Sequence, residues 1–141
     1  GATEVDTNFN VNVNTHSDGL LLHGIGGHTD VAAGAKLSMI LVPSYRKRIP
    51  VIRKRVTTVT TPGETIDVIV TERGIAINPR RTDLVEHFKN SKLPIRDIHD
   101  IHKEVIDICG EPEPPKTTDR IIALIEYRDG TIIDVVYQVK K

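Results

Sequence analysis

The residues most able to do chemistry in this sequence cluster at His23-Gly24-Ile25-Gly26-Gly27-His28. Glycines at 24, 26 and 27 let the backbone adopt positive φ and let a ligand approach main-chain N–H groups closely. Ahead of a helix start, such N–H groups can hold an oxyanion or a phosphate. The same residues equally suit a tight strand-to-helix turn in which glycine serves packing alone. The GxGxxG dinucleotide fingerprint is incomplete, because Thr29 stands three residues after Gly26. His16, His23 and His28 surround the turn, and each is chemically able to act as acid or base, although loop histidines are commonly plain polar residues.

A second group is basic. Arg46-Lys47-Arg48 and Arg53-Lys54-Arg55 flank an aliphatic run, Ile49-Pro50-Val51-Ile52. Arginine forks pair with carboxylates and phosphates, so a polycarboxylate or a CoA phosphate is a fitting ligand; a solvated strand face is the plainer reading. Nucleic acid fits poorly, since Tyr45 is the only nearby aromatic residue. His99 and His102 are spaced i, i+3 beside an isoleucine stripe with no third ligand in view, so no metal site is expected. Cys109, at a helix end, reads as buried rather than nucleophilic.

Composition bounds what these groups can belong to. The chain has 141 residues, 38% hydrophobic and 4% aromatic, enough for one compact domain that buries roughly 68–70% of its unfolded surface. Lys plus Arg and Asp plus Glu are 19 each, so neither nucleic acid nor an anionic membrane is attracted by net charge. A single cysteine allows no internal disulfide, and no apolar run approaches the length of a membrane span. A soluble, cytoplasmic α/β domain is expected. The chain opens at Gly1 and runs almost at once into a strand pattern, which suggests a processed chain or a fragment of something longer.

The elements that must position these groups follow from periodicity. Phe9, Val11 and Val13 alternate with asparagine as in a half-buried strand. Leu20–Leu22 leads into the glycine turn, Asp30 caps a helix over Val31–Lys36, and Leu37–Val42 reads as a central strand covered on both faces, a βαβ pattern. Short strands are expected at Pro50–Ile52, Val56–Thr61, Ile66–Thr71 and Gly74–Ile77. Two helices follow, Asp83–Lys89 with a capping box from Asp83 to Glu86, and Pro94–Cys109 with Ile95, Ile98, Ile101, Val105 and Ile108 on one stripe, stopped by Gly110. A proline-rich segment, 111–117, precedes a hairpin over 118–141, whose Asp129-Gly130 favours a type I′ turn. The α/β part then occupies 1–110, with the hairpin packed on it.

Several of these stretches resemble a known family. Gly1-Ala2-Thr3-Glu4-Val5, the asparagine-rich strand, Gly24-Ile25-Gly26-Gly27 with Asp30, and Arg55-Val56-Thr57-Thr58-Val59-Thr60-Thr61-Pro62-Gly63 resemble the CoA-transferase superfamily. More narrowly, His23 through Ala32, Pro43-Ser44-Tyr45 and Val70-Thr71-Glu72-Arg73-Gly74-Ile75-Ala76-Ile77-Asn78-Pro79 resemble citrate lyase α subunits over nearly the whole chain. The resemblance implies a mixed, partly parallel sheet with flanking helices of the CoA-transferase type, in the C-terminal portion of a much longer subunit. It also implies an activity, the exchange of acetate for citrate on an acyl-carrier-protein or CoA thioester. The partners it implies are the N-terminal part of the same subunit, the β subunit that cleaves the citryl thioester, and the acyl carrier protein (γ), whose prosthetic group is a CoA derivative. No metal, nucleic acid or membrane enters. Because the family builds its active site between two similar halves, the 141-residue chain alone is expected to be inactive.

Site roles follow from the same resemblance. Glutamate-dependent CoA transferases carry a Ser-Glu-Asn-Gly motif whose glutamate forms an enzyme-bound anhydride and then a thioester. The matching stretch here is Val5-Asp6-Thr7-Asn8-Phe9, with Thr7 where the glutamate would fall. A hydroxyl cannot form that anhydride, and Asp6 points to the opposite face of the strand. Citrate is therefore expected to attack the acyl thioester directly, through a mixed anhydride. The N–H groups of Gly26 and Gly27 are assigned to the thioester oxyanion, and Gly24, Gly26 and Gly27 to the pantetheine path. Asn8, Asn10 and His28 are assigned to citrate, and Arg46 and Arg48 to citrate carboxylates or CoA-type phosphates. Three alternatives stand beside this: a citramalate lyase-type transferase subunit, a sugar-phosphate-binding domain of related fold, and a non-catalytic module using the C-terminal hairpin as a contact surface.

Overall fold

In the computed structural model, which describes residues 1–140, strand β1 (Glu4–Asp6) turns back directly into β2 (Val11–Asn12). Of the expected half-buried strand from Phe9 to Val13 only Val11–Asn12 forms, and it is buried on both faces. Phe9 lies in the left-handed region at φ 66°, and Asn12 and Asn14 are as buried as Val11 and Val13 beside them. The asparagines can go inside because they are bonded there: Asn12 Nδ2 donates to Glu4 Oε2 at 2.9 Å and to Thr15 Oγ1 at 3.0 Å.

Helix α1 (His28–Gly34) begins at His28 with Gly27 in the N-cap position, earlier than the Asp30 cap predicts. Asp30 falls in the first turn and makes no cap hydrogen bond, although its charge there suits the helix dipole. Leu20–Leu22 is not a strand; the three leucines are exposed, and Leu21 makes one bridge to Thr15. The βαβ unit is therefore absent at this point of the chain.

Strand β3 (Met39–Leu41) is followed by a small hairpin, β4 (Tyr45–Arg46) and β5 (Ile49–Pro50), and then by β6 (Ile52–Arg53), β7 (Val68–Thr71) and β8 (Gly74–Ile77). β6 pairs in parallel with β1, β3 in parallel with β7, and β7 antiparallel with β8. The sheets are thus mixed and partly parallel, but small. β3 lies at an edge and is not covered on both faces: Ile40 is buried, whereas Met39 and Leu41 are 53% and 60% exposed. A continuous apolar run hides this alternation.

The threonine-rich block, 56–61, does not form a strand either. Its side chains fasten it to β2 and the residues after it: Thr60 Oγ1 donates to the Val11 carbonyl at 2.9 Å, and Thr58 and Thr15 hydroxyls meet at 3.0 Å. The segment leads into a 3-10 turn at Gly63–Thr65.

Helix α2 (Thr82–Phe88) forms without the capping box. The Asp83 carboxylate instead takes two hydrogen bonds from the Arg81 guanidinium, at 2.8 and 2.7 Å, which hold its pKa down at about 2. Helix α3 (Ile98–Cys109) starts after Pro94-Ile95-Arg96, because Asp97 caps it by accepting from the His99 N–H at 2.7 Å. Ile95 stays outside and bridges to Ile75. Ile98, Ile101 and Val105 face the core while Ile108 is largely exposed, and Gly110 ends the helix at φ 82°.

Strands β9 (Thr117–Glu126) and β10 (Ile132–Val139) form the expected hairpin, but not with a type I′ turn. Among the residues of its loop, Gly130 alone has positive φ. The Gly130 N–H donates to the Tyr127 carbonyl and the Tyr127 N–H to the Thr131 carbonyl, a longer loop with glycine in the left-handed position. Asp134 Oδ2 joins the hairpin to the threonine block by accepting from the Val59 N–H at 2.7 Å.

At the centre lies a buried ion pair, Arg53 to Glu4 at 2.6 Å. Glu4 is fully buried, and its carboxylate also accepts from Ser17 Oγ, Thr57 Oγ1, the Thr57 N–H and Asn12 Nδ2. Removing one partner of such a pair strands a charge in the interior. The Glu4→Ala variant is therefore expected to lose about 3–5 kcal/mol of stability. Urea unfolding measures it, and a loss below about 1 kcal/mol would show that the network is dispensable.

Candidate functional site

The sharpest local geometry is the turn between β1 and β2. Asp6 Oδ1 accepts from the N–H groups of Asn8 and Asn10, at 2.9 and 3.0 Å, and Oδ2 accepts from Asn10 Nδ2 at 3.3 Å and the Val56 N–H at 3.2 Å. Burial pushes the Asp6 carboxyl above its ordinary value in spite of these bonds. They hold Phe9 in its left-handed conformation while its ring fills the core. Asn10 Oδ1 accepts from the Gly63 N–H at 2.9 Å, and a Cβ on Gly63 would lie 2.0 Å from the Asn8 carbonyl oxygen. Only glycine admits that approach. Asn8 is left exposed beside Asn10, and the two line both a cleft of ≈ 510 Å³ toward Asn78 and Arg80 and one of ≈ 710 Å³ toward Lys54, Arg55 and Glu111. Thr7 Oγ1 reaches the Lys54 carbonyl at 3.4 Å.

The glycine turn is a separate feature. Gly24, Gly26 and Gly27 are exposed, and a Cβ on any of them would meet nothing within 4 Å, so the main chain faces open space. Gly26 has φ 58°, which a β-branched residue resists. Gly27 and His28 line a third cleft of ≈ 740 Å³ with Ile25, Val31 and Leu41. His28 Nδ1 lies 2.7 Å from the Thr61 hydroxyl, and burial, foremost, lowers its pKa. His23 Nδ1 lies 2.8 Å from the Gly24 carbonyl.

The basic residues are divided three ways. Arg46 donates to the Ala2 and Thr3 carbonyls at 2.8 and 3.2 Å and lines a fourth cleft together with His16; Arg48 reaches the Ile108 carbonyl at 3.4 Å. Arg53 is in the core with Glu4, and Lys54 and Arg55 are exposed. Cys109 is partly buried against the core, and His102 Nε2 is buried without a hydrogen-bond partner among the described residues. Burial, foremost, lowers the His102 pKa. No group of acidic, histidine and cysteine side chains fit to hold a metal occurs among the described residues, and none of their helices is long and apolar enough to cross a membrane.

Asn8 and Asn10 thus share two clefts, Gly27 and His28 line another, and Arg46 lines none of these. Sequence reasoning missed the parts played by Asp6, Gly63 and Thr61. The Pro62-Gly63 pair was legible as a turn, but nothing local told of the backbone lying against it.

Comparison with known proteins decides the family. The family model described as "Citrate lyase, alpha subunit (CitF)" matches residues 1–139. The chain belongs to the citrate lyase alpha subunit family. Among relatives in that family, the citrate lyase alpha chain of Klebsiella pneumoniae is 45% identical over 139 residues, covering 99% of this chain and 27% of its own length. That of Escherichia coli (strain K12) is 45% identical over 140 residues, with 99% and 28% covered. A crystal structure assigned to the alpha subunit of citrate lyase from Streptococcus mutans, in complex with citrate, superposes with a TM-score of 0.96 at 52% identity, covering 99% of this chain and 28% of that one. This citrate lyase alpha family chain therefore spans under a third of the length of these relatives.

Two consequences can be measured. Gly63→Ala forces the Asn8 carbonyl aside and is expected to cost about 1–3 kcal/mol; an unchanged urea midpoint would show that the turn yields freely. For Asp6, a raised folded-state pKa means that the folded protein holds this proton more tightly than the unfolded chain. Stability relative to Asp6→Asn is then expected to fall as pH rises through the interval just above the ordinary aspartate value, and to level off beyond it. Denaturant titrations of both proteins across the acidic range test this, and a difference that grows with pH contradicts it.

Proposed function

We propose that this chain is part of a citrate lyase alpha subunit that exchanges acetate for citrate on an acyl-carrier-protein or CoA thioester. A citrate carboxylate attacks the acetyl carbonyl carbon, the thiolate leaves, and a mixed anhydride forms. The thiolate then attacks the citryl carbonyl and acetate departs, with no covalent glutamyl-enzyme. Thr7 carries this reading. It stands where, by the resemblance, glutamate-dependent transferases hold their nucleophile, and the adjacent Asp6 carboxylate is buried and occupied by four hydrogen bonds. The Streptococcus mutans relative, in complex with citrate, supports the choice of acceptor.

In such a reaction the protein contributes position and electrostatics. The exposed N–H groups at Gly26 and Gly27 face open space that suits a thioester arm and its developing oxyanion. His28, braced by Thr61, and the Asn8–Asn10 turn are set to hold citrate. The thioester arm comes from CoA or from the carrier protein's CoA-derived group. The N-terminal part of the subunit, the β subunit and the acyl carrier protein complete the assembly, in the cytoplasm.

The test supplies the longer subunit with acetyl-CoA and citrate and follows citryl-CoA by mass spectrometry. Citryl-CoA with no acyl adduct on the protein is the expected result. Gly26→Val is expected to slow exchange by about 10²-fold or more. A covalent acyl-enzyme, or full turnover in a folded Gly26→Val protein, would overturn the mechanism or the glycine assignment respectively.

A further inference from the structure

We infer that the cleft between the Asp6–Asn10 turn and the Glu111–Pro114 segment is an anion subsite, in which Lys54 and Arg55 bind carboxylates of the acceptor and Asn8 and Asn10 orient it. The inference rests on the reading of the chain as part of a citrate-accepting transferase.

The argument starts from how the basic residues sort. Arg46 and Arg48 direct their guanidinium groups to main-chain carbonyls, and Arg53 is consumed by Glu4 in the core. Lys54 and Arg55 are exposed and form no ion pair among the described residues. Both line the cleft of ≈ 710 Å³ that Asn8 and Asn10 also line, a size that admits a small polycarboxylate with room to spare.

The corner that carries them is held at both ends. Before it, Arg53 is locked to Glu4 at 2.6 Å. After it, the Val56 N–H donates to Asp6 Oδ2 at 3.2 Å, and between them the Lys54 carbonyl accepts from Thr7 Oγ1. The main chain that carries the two cations is thus set beside Asn8 and Asn10 before any ligand arrives, so that only the exposed Lys54 and Arg55 side chains need order around a polycarboxylate. Two carboxylates border the cleft besides. Asp6 turns its oxygens inward to four protein donors, and Glu111, on the proline-rich segment, disfavours ligands that approach from its side.

Calorimetric titration of the alpha subunit carrying this chain, with citrate and separately with CoA, tests the assignment. The Lys54→Gln/Arg55→Gln variant is expected to bind citrate about tenfold or more weakly, with CoA affinity little changed, and Lys54→Arg/Arg55→Lys to retain citrate affinity. The Lys89→Gln/Lys92→Gln variant removes equal charge from the end of α2 and is expected to stay within about twofold of the unmodified protein. Unchanged citrate affinity in Lys54→Gln/Arg55→Gln overturns the subsite and leaves the proposed function standing. Loss of CoA affinity in place of citrate affinity also overturns it, by giving the cations to a phosphate of the thioester carrier. If the unmodified subunit binds no citrate, the functional reading falls and this assignment falls with it.

Discussion

The Glu4 carboxylate organises the molecule. It is fully buried, yet it ties together β1, β2, the loop at Ser17, the end of β6 and the threonine-rich block through Arg53, Asn12, Ser17 and Thr57. A charge in that position is tolerable only because every direction around it supplies a donor. These sheets are too short to hold one another by ladder hydrogen bonds alone: β1 has three residues and β2 and β6 two each. Polar side chains do much of the joining that longer strands do elsewhere. A hydrophobic substitute at residue 4 could fill the space, but it would not define which loop goes where.

The same device recurs two residues on. Asp6 spends its carboxylate on the turn that follows it and on the chain after β6, so one buried acid shapes Asn8 and Asn10 on one side and the Lys54–Arg55 corner on the other. The left-handed Phe9 and the close passage of Gly63 are the costs of this arrangement, offset by the buried ring and by the bonds to Asp6. The main chain of the turn and of the corner is held in this way without any ligand.

The glycine turn works differently. Around Asn8 and Asn10 the protein is tightly bonded, whereas in front of Gly24, Gly26 and Gly27 it is open. This chain accounts for under a third of its relatives' length. The exposed Met39 and Leu41 of edge strand β3 and the outward Ile121, Ile122 and Leu124 of β9 belong in the same account, as apolar surface that this part of the polypeptide does not itself cover.

Much was legible in the sequence alone, because it depends on local chemistry. The mixed α/β character, the end of α3 at Gly110, the apolar face of that helix and the C-terminal hairpin all follow from periodicity and glycine placement. So does the glycine turn at the start of α1. What sequence could not tell depends on partners distant along the chain. The asparagines of β2 go inside because Glu4 and Thr15 meet them there, and the threonine block forgoes a ladder because its hydroxyls bond Val11 and Thr15. Asp83 pairs with Arg81 rather than closing a capping box. The six basic residues look alike in sequence, yet tertiary structure gives two to main-chain carbonyls and one to a buried acid, and leaves Lys47 at one cleft and Lys54 and Arg55 at another. Residue types set which bonds were possible, and only the folded chain, by bringing residues some fifty positions apart into contact, decided which were made.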